Sequence, residues 1–178
     1  MNGPAILVVT GASGAGKTSA VQLLEKRSRP GIRCFYLDHI GVPSIEIMER
    51  DFGSGGKWQA YATNIWISRL AREGLGGQVN ILDGQTRPAF VHSALDASGN
   101  PKCRIVLFDC SPSARRSRLE RRGQPELASL QMDTWATFLR NQAEEFGIPI
   151  IETTNLTIEM AADAIEDQVE LLRVEAGQ

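Results

Sequence analysis

Gly11-Ala12-Ser13-Gly14-Ala15-Gly16-Lys17-Thr18 has the spacing of a phosphate-binding loop, G-x-x-x-x-G-K-[ST]. Glycines let successive backbone N–H groups turn inward on a phosphate without a Cβ in the way. In such a loop Lys17 reaches the β- and γ-phosphates and the Thr18 hydroxyl ligates Mg²⁺. The flanks fit. Ala5 to Thr10 is a short β-rich apolar run, and Thr18 to Lys26 continues with the pattern of an amphipathic helix. A helix starting at the loop adds its positive dipole end. The chain is therefore expected to bind a nucleoside triphosphate, read as ATP, with Mg²⁺.

Further residues could act on that triphosphate. Asp38, after the run Ile32 to Leu37, could accept a proton from an acceptor hydroxyl as a general base. It could equally cap the next helix. Asp83 closes the run Val79-Asn80-Ile81-Leu82, a pattern suited to holding Mg²⁺. Arg87, four positions on, could grip a phosphate or carboxylate with its guanidinium. Arg115, Arg116, Arg118, Arg121 and Arg122 crowd one predicted helix. Charge runs are commonly solvated faces, and several of the five are read so. Arg118 and Arg122 share a helical face and are assigned to the transferring phosphoryl group, which needs cations around its oxygens. Arg140 on the next helix is a further candidate. Gly123 would let the arginine segment move as a short lid.

Lys57, Trp58, Tyr61, Trp66 and Arg69 follow the glycine-rich joint Gly53 to Gly56. Aromatics at helical spacing usually form core. Trp58 and Tyr61 could also stack on a ring-shaped or apolar acceptor. Two short motifs mislead. Asp51-Phe52-Gly53 spells a protein-kinase metal motif, but the chain has no H-R-D catalytic loop. Asp96-Ala97-Ser98-Gly99 resembles a GTPase D-x-x-G, yet it follows a predicted helix and no N-K-x-D motif accompanies it.

These residues need a scaffold. Short apolar runs at 5–10, 32–37, 79–83, 104–109 and 148–152 read as strands. Helical stretches are expected to about residue 28 and at 44–50, 57–73, 88–95, 112–122, 133–146 and 158–174. The alternation predicts an α/β fold, a three-layer sandwich around a five-stranded parallel sheet. Ligands of such sheets sit at the carboxyl ends of the strands, where the loop, Asp38, Asp83 and Arg87 all fall. One domain over residues 1–178 is expected, with 39–75 as a substrate-binding helical region and 115–130 as the short lid. The formal charge of -2 gives no reason to expect nucleic acid. Cys34, Cys103, Cys110, His39 and His92 show no metal-ligand spacing, so reduced thiols and a cytoplasmic location are expected. No leader pattern or membrane-length apolar stretch is read.

With these residues in view, the chain resembles the nucleoside-monophosphate-kinase-like group of P-loop kinases, which includes adenylate, shikimate and gluconate kinases and chloramphenicol phosphotransferase. Leu82-Asp83-Gly84-Gln85-Thr86-Arg87 is similar to the L-D-G-F-P-R stretch of adenylate kinases, whose arginine holds the acceptor's phosphate. Arg118-Leu119-Glu120-Arg121-Arg122 resembles the R-x-x-x-R pair at the start of their lid. Thr153-Thr154-Asn155-Leu156-Thr157 looks like the loop that packs on the nucleotide base, which implies a role for Asn155. Asp38 resembles the strand-two aspartate that faces a substrate hydroxyl in shikimate kinase and chloramphenicol phosphotransferase. The span from Arg122 to Leu130 is short for an adenylate kinase lid. The resemblance implies ATP-dependent transfer of the γ-phosphoryl group to a small-molecule hydroxyl. Alternatives are a nucleotide or nucleoside kinase and a nucleotide-binding regulatory ATPase. Arg87 points toward an acceptor bearing a carboxylate or phosphate.

Overall fold

In the computed structural model, which describes residues 3–175, β1 (Ala5–Thr10) is buried along its whole length. Side chains alternate across a strand. Ala5, Leu7 and Val9 therefore join one apolar core, while Ile6 and Val8 join another. β1 lies at the centre of a sheet with β2 (Ile32–Tyr36), β3 (Val79–Asp83), β4 (Cys103–Asp109) and β5 (Ile150–Glu152). The order is β2-β3-β1-β4-β5, and every pair is parallel. Strands covered on both faces read as continuous apolar runs, as β1 and β4 do.

Helices supply both covers. α1 (Lys17–Arg27) and α7 (Ile158–Glu175) pack on one face through Val21, Leu24, Ile165, Val169 and Leu172. α2 (Ile45–Ile47) is a single turn. α3 (Gly55–Leu70), α4 (Pro88–Ala97) and α6 (Leu130–Glu145) bury Trp58, Trp66, Ile67, Val91 and Leu139 on the other face. Each such side chain contributes roughly 1.5–3 kcal/mol. α5 (Pro112–Arg121) starts at Ser111, whose hydroxyl accepts from Ala114 N–H, with Pro112 in the first turn. The architecture is the expected three-layer α/β sandwich.

Two boundaries differ in ways that affect the site. The helix expected at 44–50 is α2, which widens into a π-helical turn over Met48–Phe52 and buries no side chain. The helix expected from Lys57 starts at Gly55, because the Ser54 hydroxyl accepts from Lys57 N–H. No helix among the described residues is long and apolar enough to cross a membrane.

Candidate active site

The phosphate loop joins β1 to α1 and is wedged against β4. At Gly11 (φ 147°) a Cβ would lie 2.2 Å from the Phe108 carbonyl oxygen, so no other residue fits without displacing the sheet. Gly11, Ala12 and Ala15 are buried and shape the turn, while Ser13, Gly14, Gly16, Lys17 and Thr18 line a cleft. Lys17 is buried and its Nζ donates to the Ala12 carbonyl at 3.0 Å. Burial lowers its pKa; Asp83 raises it and Arg122 adds to the lowering. The ammonium is held in the loop with one carbonyl partner and a counter-charge at hand.

The Thr18 hydroxyl donates to Asp83 Oδ2 at 2.5 Å. Asp83 Oδ1 is buried with no hydrogen-bond partner. Burial raises the Asp83 pKa, opposed by Lys17 and the Thr18 hydrogen bond, with Asp38 adding to the rise. An orphaned buried carboxylate oxygen costs about 1–3 kcal/mol or more, which a cation would relieve. One carboxylate beside one hydroxyl is a donor set Mg²⁺ accepts, since it retains water and takes phosphate oxygens as further ligands. The residues expected to hold the metal fit it.

Asp38 lies in a 3₁₀ turn, Leu37–Ile40, directly after β2. Buried Trp66 of α3 donates its Nε1–H to the Leu37 carbonyl at 2.9 Å. Leu37 also presses on the end of β3: a Cβ on Gly84 would lie 2.4 Å from Leu37 Cβ. The close approach at Gly84 brings Asp38 to the rim of the cleft that Asp83 lines, exposed and near enough to influence Asp83.

The arginines divide by burial. Arg118 donates to the Gly14 carbonyl at 3.3 Å, to Thr153 Oγ1 at 3.0 Å and to the Thr153 carbonyl at 2.5 Å. It lines the cleft while tying α5 to the phosphate loop. Arg122 and Arg121 also line the cleft but are exposed, bonded to Gln124 and to the Ser117 carbonyl. Arg115 is not part of a solvated face. It is buried, bonded to Asp109 at 3.0 Å and Asp133 at 2.7 Å. Arg140 pairs with Asp109 at 2.7 Å and Glu152 at 3.1 Å and lies outside the cleft. The sequence hides this network because Asp109 ends the preceding strand and Asp133 lies on the next helix, and only tertiary packing brings both to Arg115.

On α3, Trp58 lines the cleft. Tyr61, one turn on, does not; it is half-exposed and its ring meets Phe52 at 5.3 Å. Arg87 is also absent from the lining. It donates to Gln59 Oε1 at 2.7 Å, and its guanidinium lies 4.9 Å from the ring centres of Phe90 and Trp135. Asn155 is exposed outside the lining, whereas Thr153, Thr154, Leu156 and Thr157 border it. The sequence reading missed Gln59, Gln85 and Trp135. Gln85 Nε2 donates to Ser13 Oγ at 2.9 Å, its Oε1 accepts from Trp135 Nε1 at 3.0 Å, and its carbonyl accepts from Gln59 Nε2 at 2.9 Å. Gln85 adjoins the Asp83 motif; no spacing signals the other two.

The cleft of about 990 Å³ stands at the top of the usual range for ligand pockets, roughly 300–1,000 Å³. The fold has the architecture of the P-loop kinases. Among solved structures the chain is similar to the tunicamycin resistance protein of Deinococcus radiodurans, with TM-score 0.67 and 21% identity over 93% of this chain and 95% of that one. It is similar to a gluconokinase of Sinorhizobium meliloti 1021 (TM-score 0.61, 16% identity, 98% and 99% covered). The shikimate kinase of Acinetobacter baumannii, solved with shikimate, gives TM-score 0.62 at 17% identity, with 93% of each chain covered. No protein-family model matches the sequence, and no curated protein matches it.

Proposed function

We propose that this chain is an ATP- and Mg²⁺-dependent kinase that transfers the γ-phosphoryl group to a hydroxyl of a small molecule. The observation that carries this reading is the shared cleft: the phosphate loop and Asp83 line it, and the exposed Asp38 carboxylate stands at its rim. A GTPase or motor would need the loop and a metal carboxylate, but an alcohol acceptor gives Asp38 a task. Likeness to gluconokinase and shikimate kinase supports the same class.

Thr18 and Asp83 Oδ1 would hold Mg²⁺, which when bound neutralises phosphate charge. Lys17 exchanges the Ala12 carbonyl for phosphate oxygens. Arg118 fixes the loop against the Thr153 segment, and Arg122 supplies a mobile cation to the transferring group. Asp38 Oδ accepts the hydroxyl proton as the acceptor oxygen bonds to phosphorus and the bond to the departing diphosphate oxygen breaks. Three free thiols, Cys34, Cys103 and Cys110, support a cytoplasmic setting. The test is Asp38→Asn. Transfer to an accepted alcohol falls by about 10²–10⁴-fold, while ADP·Mg²⁺ affinity is retained. Transfer surviving within a few-fold removes the general-base role, and a failure of every alcohol to raise ATP turnover removes the kinase reading.

A further inference from the structure

The charges lining the cleft are segregated. Its cations, Lys17, Arg118, Arg121 and Arg122, all come from the phosphate loop, α5 and the residue that ends it. The wall built by the β2 turn, the β3 end, α3 and α6 presents Leu37, Val42, Trp58, Gln59, Gln85 and Trp135, and its charges are the carboxylates Asp38 and Asp83. The cations nearby in sequence are engaged elsewhere. Arg87 is bonded to Gln59 and enclosed by Phe90, Trp135 and Phe138. Arg69 pairs with Glu73 at 2.6 Å. The polar groups of the wall also satisfy one another: Arg87 to Gln59, Gln59 to the Gln85 carbonyl, Trp135 to Gln85, and Gln85 to Ser13.

An anionic acceptor on this wall would meet two carboxylates and no cation that lines it, since Arg87 stays outside the lining, and losing its hydration there would go uncompensated. A flat apolar body loses little by leaving water and gains contact with the parts of Trp58 and Trp135 that line the cleft, Trp135 itself being held by its stacking on Phe138. Resting on the kinase reading, we infer that the acceptor is an uncharged hydroxylated molecule with a flat, largely apolar body. It lies against Trp58 and Trp135 with its hydroxyl at Asp38. This replaces the carboxylate- or phosphate-bearing acceptor that Arg87 suggests in the sequence.

Calorimetric titration of the protein saturated with ADP and Mg²⁺ tests it, using uridine against uridine 5′-monophosphate and tyrosol against 4-hydroxyphenyllactate. The uncharged member of at least one pair binds about tenfold or more tightly than its anionic counterpart. Equal or tighter binding of the anion in both pairs overturns the inference, as does no binding of either uncharged probe at about 1 mM. Val42 is 56% exposed on the wall, so Val42→Lys leaves the fold intact. It shifts the preference toward the anion by about two- to fivefold, and an unchanged ratio overturns the placement of the acceptor. Binding needs no transfer, so bound alcohols that are never phosphorylated refute the kinase reading and leave the acceptor class standing.

Discussion

Asp83 accepts the Thr18 hydroxyl on Oδ2 at 2.5 Å and leaves Oδ1 buried and unpartnered. A carboxyl with its pKa raised by burial favours folding while protonated. That contribution is present below the ordinary carboxylate pKa, about 3.9, and is lost as pH rises through the higher folded-state value. At neutral pH without metal the ionised group therefore detracts from stability.

Asp83→Asn should then melt at or above the parent temperature in metal-free buffer at neutral pH, with the advantage shrinking as pH falls. The same variant should lose the Mg²⁺-dependent part of its ADP affinity. A lower melting temperature at neutral pH would refute the unrelieved carboxylate; unchanged Mg²⁺ dependence would refute the metal role.

Gly84 meets Leu37 too closely for a methyl group. Gly84→Ala should cost about 1–3 kcal/mol by overpacking and push the turn bearing Asp38 off the β3 end. Transfer rate should fall more than ADP affinity. Equal losses in both would show that the turn does not position Asp38.

Arg118 and Arg122 share a helical face but not an environment. Arg118→Ala should lower the melting temperature and weaken ADP binding, because it frees Gly14 and Thr153 carbonyls. Arg122→Ala should leave the melting temperature unchanged and lower turnover, about tenfold or more. Differential scanning calorimetry beside steady-state kinetics separates the two. Matching profiles would contradict the division.

Asp109 balances Arg115 and Arg140. Asp109→Asn leaves the guanidinium of Arg115, 3% exposed, with Asp133 as its remaining counter-charge. The expected loss is about 3–5 kcal/mol, read from denaturant midpoints. Arg140 is 37% exposed, and Arg140→Ala should cost about 1 kcal/mol or less.

The five strands and the phosphate loop were legible because their signals are local: apolar runs of strand length and glycines at fixed spacing. Asp83 was legible because it ends such a run. What a residue meets across the fold was not. Trp58 and Tyr61 sit three apart on one helix, and helical period cannot say which of them faces the cleft. Arg115 looked like its neighbours because Asp109 and Asp133 reach it only through tertiary packing. Arg87 looked free because Gln59 and Trp135, which occupy it, lie on elements 28 residues before it and on the far helix α6. Asn155 was placed by the loop's position, while Thr153 and Thr154 form its inner edge.

The short α2 and its π-helical turn contain no buried side chain. Val42, just before them, still borders the cleft. Apart from Met48 and Phe52, which lean on the core, this stretch carries little of its weight, so its other positions can be rewritten. A combinatorial library over residues 41–51 that keeps Met48 and Phe52 would sample new acceptor preferences with the core contacts retained, making this stretch the natural seam for directed evolution of this protein.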